Sequence, residues 1–141
     1  MPAETFSYEW RGEFSNDEVN ALHAEAFETR VFCEDEWNWR ALTAEHSLGW
    51  VVARDDDGRL VGFVNVVWDS LVHAFIEDTM VSSLARRQGV GKAVVRRAAA
   101  EARAARCEWL HVDFDDHLRE FYFDSCGFRP TNGGLMSLQG D

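Results

Sequence analysis

Arg86-Arg87-Gln88-Gly89-Val90-Gly91-Lys92 is the stretch whose reading decides the fold. Before it lies an apolar run, His73 to Val81, that reads as a strand. After it, Lys92 to Arg106 is rich in Ala and Arg, free of Gly and Pro, and reads as a helix. Two glycines one residue apart permit φ > 0 and let a ligand come close to the backbone. Several N–H groups then converge at the mouth of a helix, whose N-terminus carries about half a positive charge. Arg86, Arg87 and Lys92 bracket the turn. Strand, glycine turn, helix start and cations together make an anion trap, best suited to phosphate.

The turn fits neither of two familiar phosphate loops. A Walker A loop ends in Gly-Lys-Ser/Thr, but Gly91-Lys92 is followed by Ala93 and the upstream Gly is missing. A dinucleotide fingerprint needs a third Gly, and Val94 stands there.

Working outward, Thr5 to Glu13 alternates loosely and reads as a first strand. Ser15-Asn16-Asp17-Glu18 is a capping box opening a helix with Val19, Leu22, Ala26 and Phe27 on one face. A second helix is expected from about Glu36 to His46. Strands follow at Leu48 to Arg54 and Arg59 to Trp68, joined by a turn with Gly58 left-handed. Beyond the long helix come a strand at Trp109 to Phe114 and a short aromatic helix, Asp116 to Cys126, ended by Gly127. A last strand is expected near Leu135 to Leu138. A meander followed by a strand–helix–strand crossover predicts an α/β (α+β) fold with a mixed, mostly antiparallel sheet and helices on both faces.

At 141 residues, with 46% apolar side chains and six Trp, the chain is expected to form a single domain, 1–141, around one core. No apolar run approaches the roughly 20 residues of a membrane span. Met1 to Thr5 has neither the basic nor the apolar region of a secretory signal. Cys33, Cys107 and Cys126 read as buried free thiols, and the expected compartment is cytoplasmic. The net charge is −11, unevenly spread: residues 1–79 carry 17 Asp/Glu against five Arg, residues 80–141 eight against nine Lys/Arg. An acidic chain is a poor nucleic-acid binder, and neither nucleic acid nor membrane is an expected partner. The basic patch suits a compact anion; the acidic half suits a cation, or is simply a solvated face.

Arg86-x-x-Gly89-x-Gly91, directly after a strand and before a helix, resembles the pyrophosphate motif of the GNAT-type N-acetyltransferase superfamily. Phe121-Tyr122-Phe123-Asp124-Ser125-Cys126-Gly127-Phe128 resembles that family's Tyr-x-x-x-Gly-Phe segment, with one extra residue after the Tyr. The resemblance implies a sheet splayed between the fourth and fifth strands, with acetyl-CoA in the gap as co-substrate. It implies that Arg86, Arg87, Gln88, Gly89, Val90, Gly91 and Lys92 hold the pyrophosphate. Met80 and Val81 would pair with the pantetheine arm as an added strand, a strand-four N–H polarising the thioester carbonyl. Asp116 (or Asp115, counted from Tyr122) stands where the family favours an Asn that bonds the same arm.

An amine must be neutral to attack, so a base is needed near the strand-four opening. Glu77 and Asp78 are the candidates, on opposite strand faces unless a bulge intervenes. The family's usual acid, a Tyr four residues before the Gly, falls on Phe123 here. Tyr122 takes that role only if the helix is irregular; otherwise it is a buried structural Tyr. The implied activity is acetyl transfer to a primary amine of a small molecule or peptide by direct attack, with a homodimer as an option. A non-catalytic CoA-binding sensor or scaffold is the alternative, supported by Phe123. His111, Asp113, Asp115 and His117 are ligand types that suit zinc or iron and would carry a metal-dependent hydrolase instead. Strand alternation beside a carboxylate-rich loop gives the same residues, and no metal is assigned. Trp37 and Trp39 are read as core residues rather than as an acceptor wall.

Overall fold

The structure, a computed structural model, describes residues 5–140. Met1 to Glu4, most of the stretch read for a secretory signal, lie outside the described residues. The elements run β1 (Ser7–Trp10), α1 (Asn16–Phe27), α2 (Trp39–His46), β2 (Ser47–Arg54), β3 (Leu60–Trp68), β4 (His73–Val81), α3 (Val90–Ala104) and β5 (Trp109–His111). The five strands form one sheet in chain order, antiparallel from β1 to β4 and parallel between β4 and β5. This is the mixed, mostly antiparallel sheet with helices on both faces that the element order implies.

Strand alternation feeds two cores, one on each face. Val51 and Ala53 of β2, Val64 and Val66 of β3 and Ala74 and Ile76 of β4 meet Val90, Val94, Val95 and Ala98 of α3. On the other face Val52, Phe63 and Met80 meet Val19 and Leu22 of α1 and Trp39 of α2. Each fully buried aliphatic side chain contributes roughly 1.5–3 kcal/mol. The capping box at Ser15 forms in both directions: Ser15 Oγ accepts from the Glu18 N–H and Glu18 Oε1 accepts from the Ser15 N–H, both at 3.0 Å. Glu18 also pairs with Arg54 at 2.7 Å, fixing the start of α1 to the end of β2. Buried Asn20 accepts from Trp39 Nε1 at 2.8 Å, joining α1 to α2.

Several boundaries differ from the sequence reading. β1 is shorter than Thr5 to Glu13, ending where Arg11 turns to a left-handed φ of 58°. α2 starts at Trp39 because Asn38 caps it, accepting from the Ala41 N–H at 3.0 Å. Glu36 is engaged elsewhere, with the Arg30 guanidinium at 2.5 Å. α3 starts at Val90, two residues early, with left-handed Gly89 as its cap. β5 keeps only three residues. The segment Asp116 to Cys126 is not one α-helix but a 3-10 turn, Asp116–Leu118, followed by a π-helical turn, Glu120–Ser125. The expected strand at Leu135 to Leu138 does not form. With Gly133-Gly134 before it and no ladder partner, its apolar side chains stay 82–90% exposed. Cys107 and Cys126 are half-buried free thiols, but Cys33 is exposed in the loop before α2.

Candidate active site

The gap beside β4 is created by early termination of pairing. β5 lies along His73, Ala74 and Phe75, through His73↔Trp109, Ala74↔Leu110 and Phe75↔His111, and no further. His111 closes the vertex: its ring stacks on Phe75 at 4.6 Å, and its Nε2 lies 2.8 Å from His73 Nδ1 in a hydrogen bond. From Ile76 to Val81 the β5-side edge of β4 has no strand beside it among the described residues. This is the splay between the fourth and fifth strands.

A β-bulge sits on that free stretch. Phe63 pairs with Met80 and Asn65 with Glu77, so one residue of β3 faces two of β4, Asp78 and Thr79. Asp78 carries the strain at φ 58°. The bulge resets the alternation. Ile76 lies in the α3-side core, yet Met80, four residues on, lies in the core under α1 and α2. Glu77 therefore shares the α1/α2 face with Met80, and Asp78 occupies the kink.

Burial pushes the Glu77 carboxyl above its usual range, and the neighbouring Asp78 and Asp113 push it further. Burial alone raises Asp78. Both shifts bring a carboxylate nearer to the basicity that proton abstraction at neutral pH requires.

The chain leaves β4 through Ser82 and a 3-10 turn, Ser83–Ala85, to Arg87 at φ 64° and Gly89 at φ 81°. A Cβ on Gly89 would meet nothing within 4 Å, so this corner faces open space. The first helical bond runs from the Ala93 N–H to the Gly89 carbonyl, at 3.0 Å. The N–H groups from Gly89 through Lys92 are therefore those that a helix leaves without intrahelical partners. Arg86, Arg87 and Lys92 are exposed and have no ion-pair partner among the described residues. The two glycines have different tasks. Gly89 supplies the left-handed corner. Gly91 is helical and permits close packing, since a Cβ there would come within 3.3 Å of Phe121 and 3.4 Å of Val81.

Tyr122 is only 5% exposed and sits on the π-helical turn. The Cys126 N–H donates to the Phe121 carbonyl at 2.9 Å, a five-residue step that absorbs one extra residue. That is the helix irregularity which the spacing of Tyr122 to Gly127 requires. The ring stacks on Phe114 at 4.7 Å. Burial raises the phenol pKa most, the adjacent Thr79 hydroxyl holds it down, and Cys126 and Asp113 raise it further. Thr79 Oγ1 is itself buried without a hydrogen-bond partner. Phe123 lies elsewhere, edge-on to Phe114 with Arg119 over its face. Asp116 is almost fully exposed beside Arg119 at 4.0 Å.

Glu25 of α1 was not legible as a site residue. Its Oε1 accepts from Ser82 Oγ at 3.0 Å, the Ser83 N–H at 2.6 Å and Ser83 Oγ at 2.5 Å. The Ser83 bonds lead in holding its carboxyl below the usual range. No local spacing signals a contact across 57 residues. Cys126 does have cations nearby, Arg96 and Lys92, contrary to the sequence reading, but burial outweighs them and its thiol is raised. Trp39 is core, as read, whereas Trp37 is 41% exposed and stacks on it. β5 ends before Asp113 and Asp115, so the expected row of ligands on one strand does not exist. Among the described residues no three His, Cys, Asp or Glu side chains group as metal ligands. No helix there is long and apolar enough to cross a membrane.

A splayed β4–β5 pair, a bulged β4 and a glycine corner at the head of α3 define the class. The acetyltransferase (GNAT) family model matches residues 8–128, and the chain belongs to that family. Solved structures agree on the fold. An acetyltransferase from Trypanosoma brucei superposes with a TM-score of 0.75 at 20% identity, over 93% of this chain and 99% of that one. A GNAT family N-acetyltransferase from Escherichia coli, in complex with CoA, gives 0.71 at 18% identity, over 92% and 71%. Glucosamine-6-phosphate N-acetyltransferase from Arabidopsis thaliana gives 0.69 at 16%, over 93% and 97%. No curated protein matches by sequence.

Proposed function

We propose that this protein transfers an acetyl group from acetyl-CoA to a primary amine of a small molecule or peptide, by direct attack. The observation that carries the proposal is the β5-side edge of Ile76 to Val81, without a strand partner among the described residues, running into an open, left-handed glycine corner flanked by three exposed cations. An extended arm fits beside a free strand edge, and a diphosphate fits a corner of unpartnered N–H groups.

Bound acetyl-CoA would supply the acetyl group as an activated thioester. Gly89, Val90, Gly91 and Lys92 would bind its pyrophosphate through main-chain N–H groups, with the Arg86 and Arg87 side chains and Gln88 at the rim. Met80 and Val81 would orient its arm through their backbone groups, and the Val81 N–H is our candidate donor to the carbonyl oxygen. Glu77, on the α1/α2 face, takes the proton of the acceptor ammonium, with Asp78 keeping its carboxyl basic. Tyr122 Oη holds a proton for the departing sulfur. The π-turn supports that assignment, because it absorbs the extra residue between Tyr122 and Gly127 while the phenol lies beside Thr79 of β4. For Asp116, nearly fully exposed, no more than a rim contact is proposed.

The test is calorimetric titration with CoA and acetyl-CoA, followed by mass spectrometry of an amine panel. Heat with both ligands and an acetylated product are expected. Binding without any product would favour a CoA-sensing or scaffold role. No binding on folded protein would remove the proposal.

A further inference from the structure

One buried hydroxyl has no task in the reading above. Thr79 Oγ1 is shut off from solvent and has no hydrogen-bond partner among the described residues. The bulge sets Asp78 and Thr79 together between the pairs Asn65↔Glu77 and Phe63↔Met80. Met80 lies in the core under α1 and α2, so Thr79 and Val81 on either side of it point to the opposite face, where Val81 joins the α3 core. The π-helical turn packs on that same face. The Phe121 and Val81 side chains both lie against Gly91, where a Cβ would come within 3.3 Å of one and 3.4 Å of the other. Tyr122, the next residue, belongs to the same core, and its phenol lies beside the Thr79 hydroxyl. The other side chains of that face, Val64, Ile76, Val81 and Phe114, are apolar. An unpaired hydroxyl among them destabilises the fold, and valine would fill the same space without one.

We infer that Thr79 is a positioning residue for Tyr122, its hydroxyl donating to the phenoxide that remains when Tyr122 gives up its proton. This rests on the proposed acetyl transfer. As the carbon–sulfur bond breaks, the electron pair stays on sulfur and the Tyr122 proton follows it. The phenoxide is then a buried anion. The titratable groups that act on it are Asp113, in the loop after β5, and Cys126, on the π-turn, and both disfavour its charge. The α3 cations Lys92 and Arg96 act on Cys126. Thr79 is the donor that β4 offers, and no competing acceptor holds its proton. Water returns a proton to Tyr122 once the thiol has left. Catalytic hydrogen bonds are often loose in the free enzyme and tighten in the reacting complex, which accounts for an Oγ1 that is adjacent yet unpaired here.

The experiment uses the full chain carrying Tyr8→Phe, which leaves Tyr122 as the only tyrosine. Labelled with 3-fluorotyrosine, whose phenol ionises at lower pH, it is titrated by fluorine NMR. Thr79→Val is expected to raise the phenol's midpoint without lowering the melting temperature. In unlabelled protein it should lower kcat about tenfold, as loss of a hydrogen bond to a charged oxygen would, with KM and CoA affinity within about twofold. Thr79→Ser should restore both midpoint and kcat. In a Tyr122→Phe background Thr79→Val should lower kcat no further. Should Thr79→Val not fold, Thr79→Ala serves for the same measurements. A loss of kcat that serine does not rescue, or an equal loss in the Tyr122→Phe background, would overturn the inference. An unmoved midpoint on an active chain would remove the pairing and leave acetyl transfer standing. A raised midpoint on a chain that acetylates no amine would uphold the pairing while acetyl transfer, and the role in it, fall.

Discussion

β4 behaves differently along its two halves. Ala74 and Phe75 are paired on both edges, to β3 and to β5, and His73 pairs with β5. From Ile76 to Val81 the strand keeps β3 but has no strand on the other edge among the described residues. The first half is ordinary sheet interior, closed by the His73–His111 hydrogen bond and the Phe75–His111 stack. The second half collects a bulge, two carboxyls raised by burial, an orphaned threonine hydroxyl and the exit to the glycine corner. A free edge is usually something a protein must cover. Here the cover is left out, and the candidate chemistry lies along the gap.

The sharpest way to break this comparison is at the corner. Gly89→Asp is expected to fold, since Asp visits the left-handed region and nothing lies within 4 Å. It places negative charge where an anion must sit. Thermal stabilisation by CoA should vanish, with affinity down on the order of a hundredfold; undiminished stabilisation would refute the anion site. Next in size, Tyr122→Phe should lower turnover about ten- to a hundredfold while CoA affinity stays within twofold. An unchanged rate in steady-state assays would leave Tyr122 as packing only.

The bulge offers a stability test with a definite sign. The Asp78 carboxyl is raised by burial, so its contribution is fully present below the carboxyl's unfolded pKa and lost as pH rises through the folded one. Asp78→Asn removes that loss, and Asn tolerates φ 58°. The variant should therefore melt higher than the parent at pH 7, the difference shrinking as pH falls toward the carboxyl range. A melting point that is lower at pH 7 would contradict burial of the charge. Smallest of all should be Gly91→Ala. Its Cβ would crowd Phe121 at 3.3 Å, while alanine gains roughly 1 kcal/mol of helix propensity over glycine. Stability should shift by no more than about 1 kcal/mol in urea melts. A loss as large as that of Gly89→Asp in CoA binding would mean that the ligand approaches the Gly91 backbone too closely to leave room for a methyl group.

The sequence carried the elements that local rules determine. The Ser15 capping box, the Gly58 turn, the His73–Val81 strand and the left-handed Gly89 all depend on neighbours within a few residues. What stayed hidden depends on distant partners. β5 reads as six residues because its alternation runs to Phe114, but pairing stops when the strands diverge. The Asp78–Thr79 bulge follows from the register with β3, which no single strand reveals. The π-turn left a trace, one residue too many between Tyr122 and Gly127, without showing how it would be absorbed. Asp113 reads as a strand residue of metal-ligand type, but β5 stops at His111 and leaves it in the loop beyond. Leu135 to Leu138 has the composition of a strand and nothing to pair with.

Glu25 has a consequence for how two bound molecules would sense each other. One carboxylate oxygen on α1 grips both serines at the threshold of the glycine corner. The helix whose inner face lies against Met80 is thereby joined to the 3-10 turn that leads from β4 to the glycine corner. Were the proposed co-substrate and acceptor to sit at the two ends of the gap, a ligand that moved α1 would act on that turn as well, and any resulting coupling would be equal in both directions.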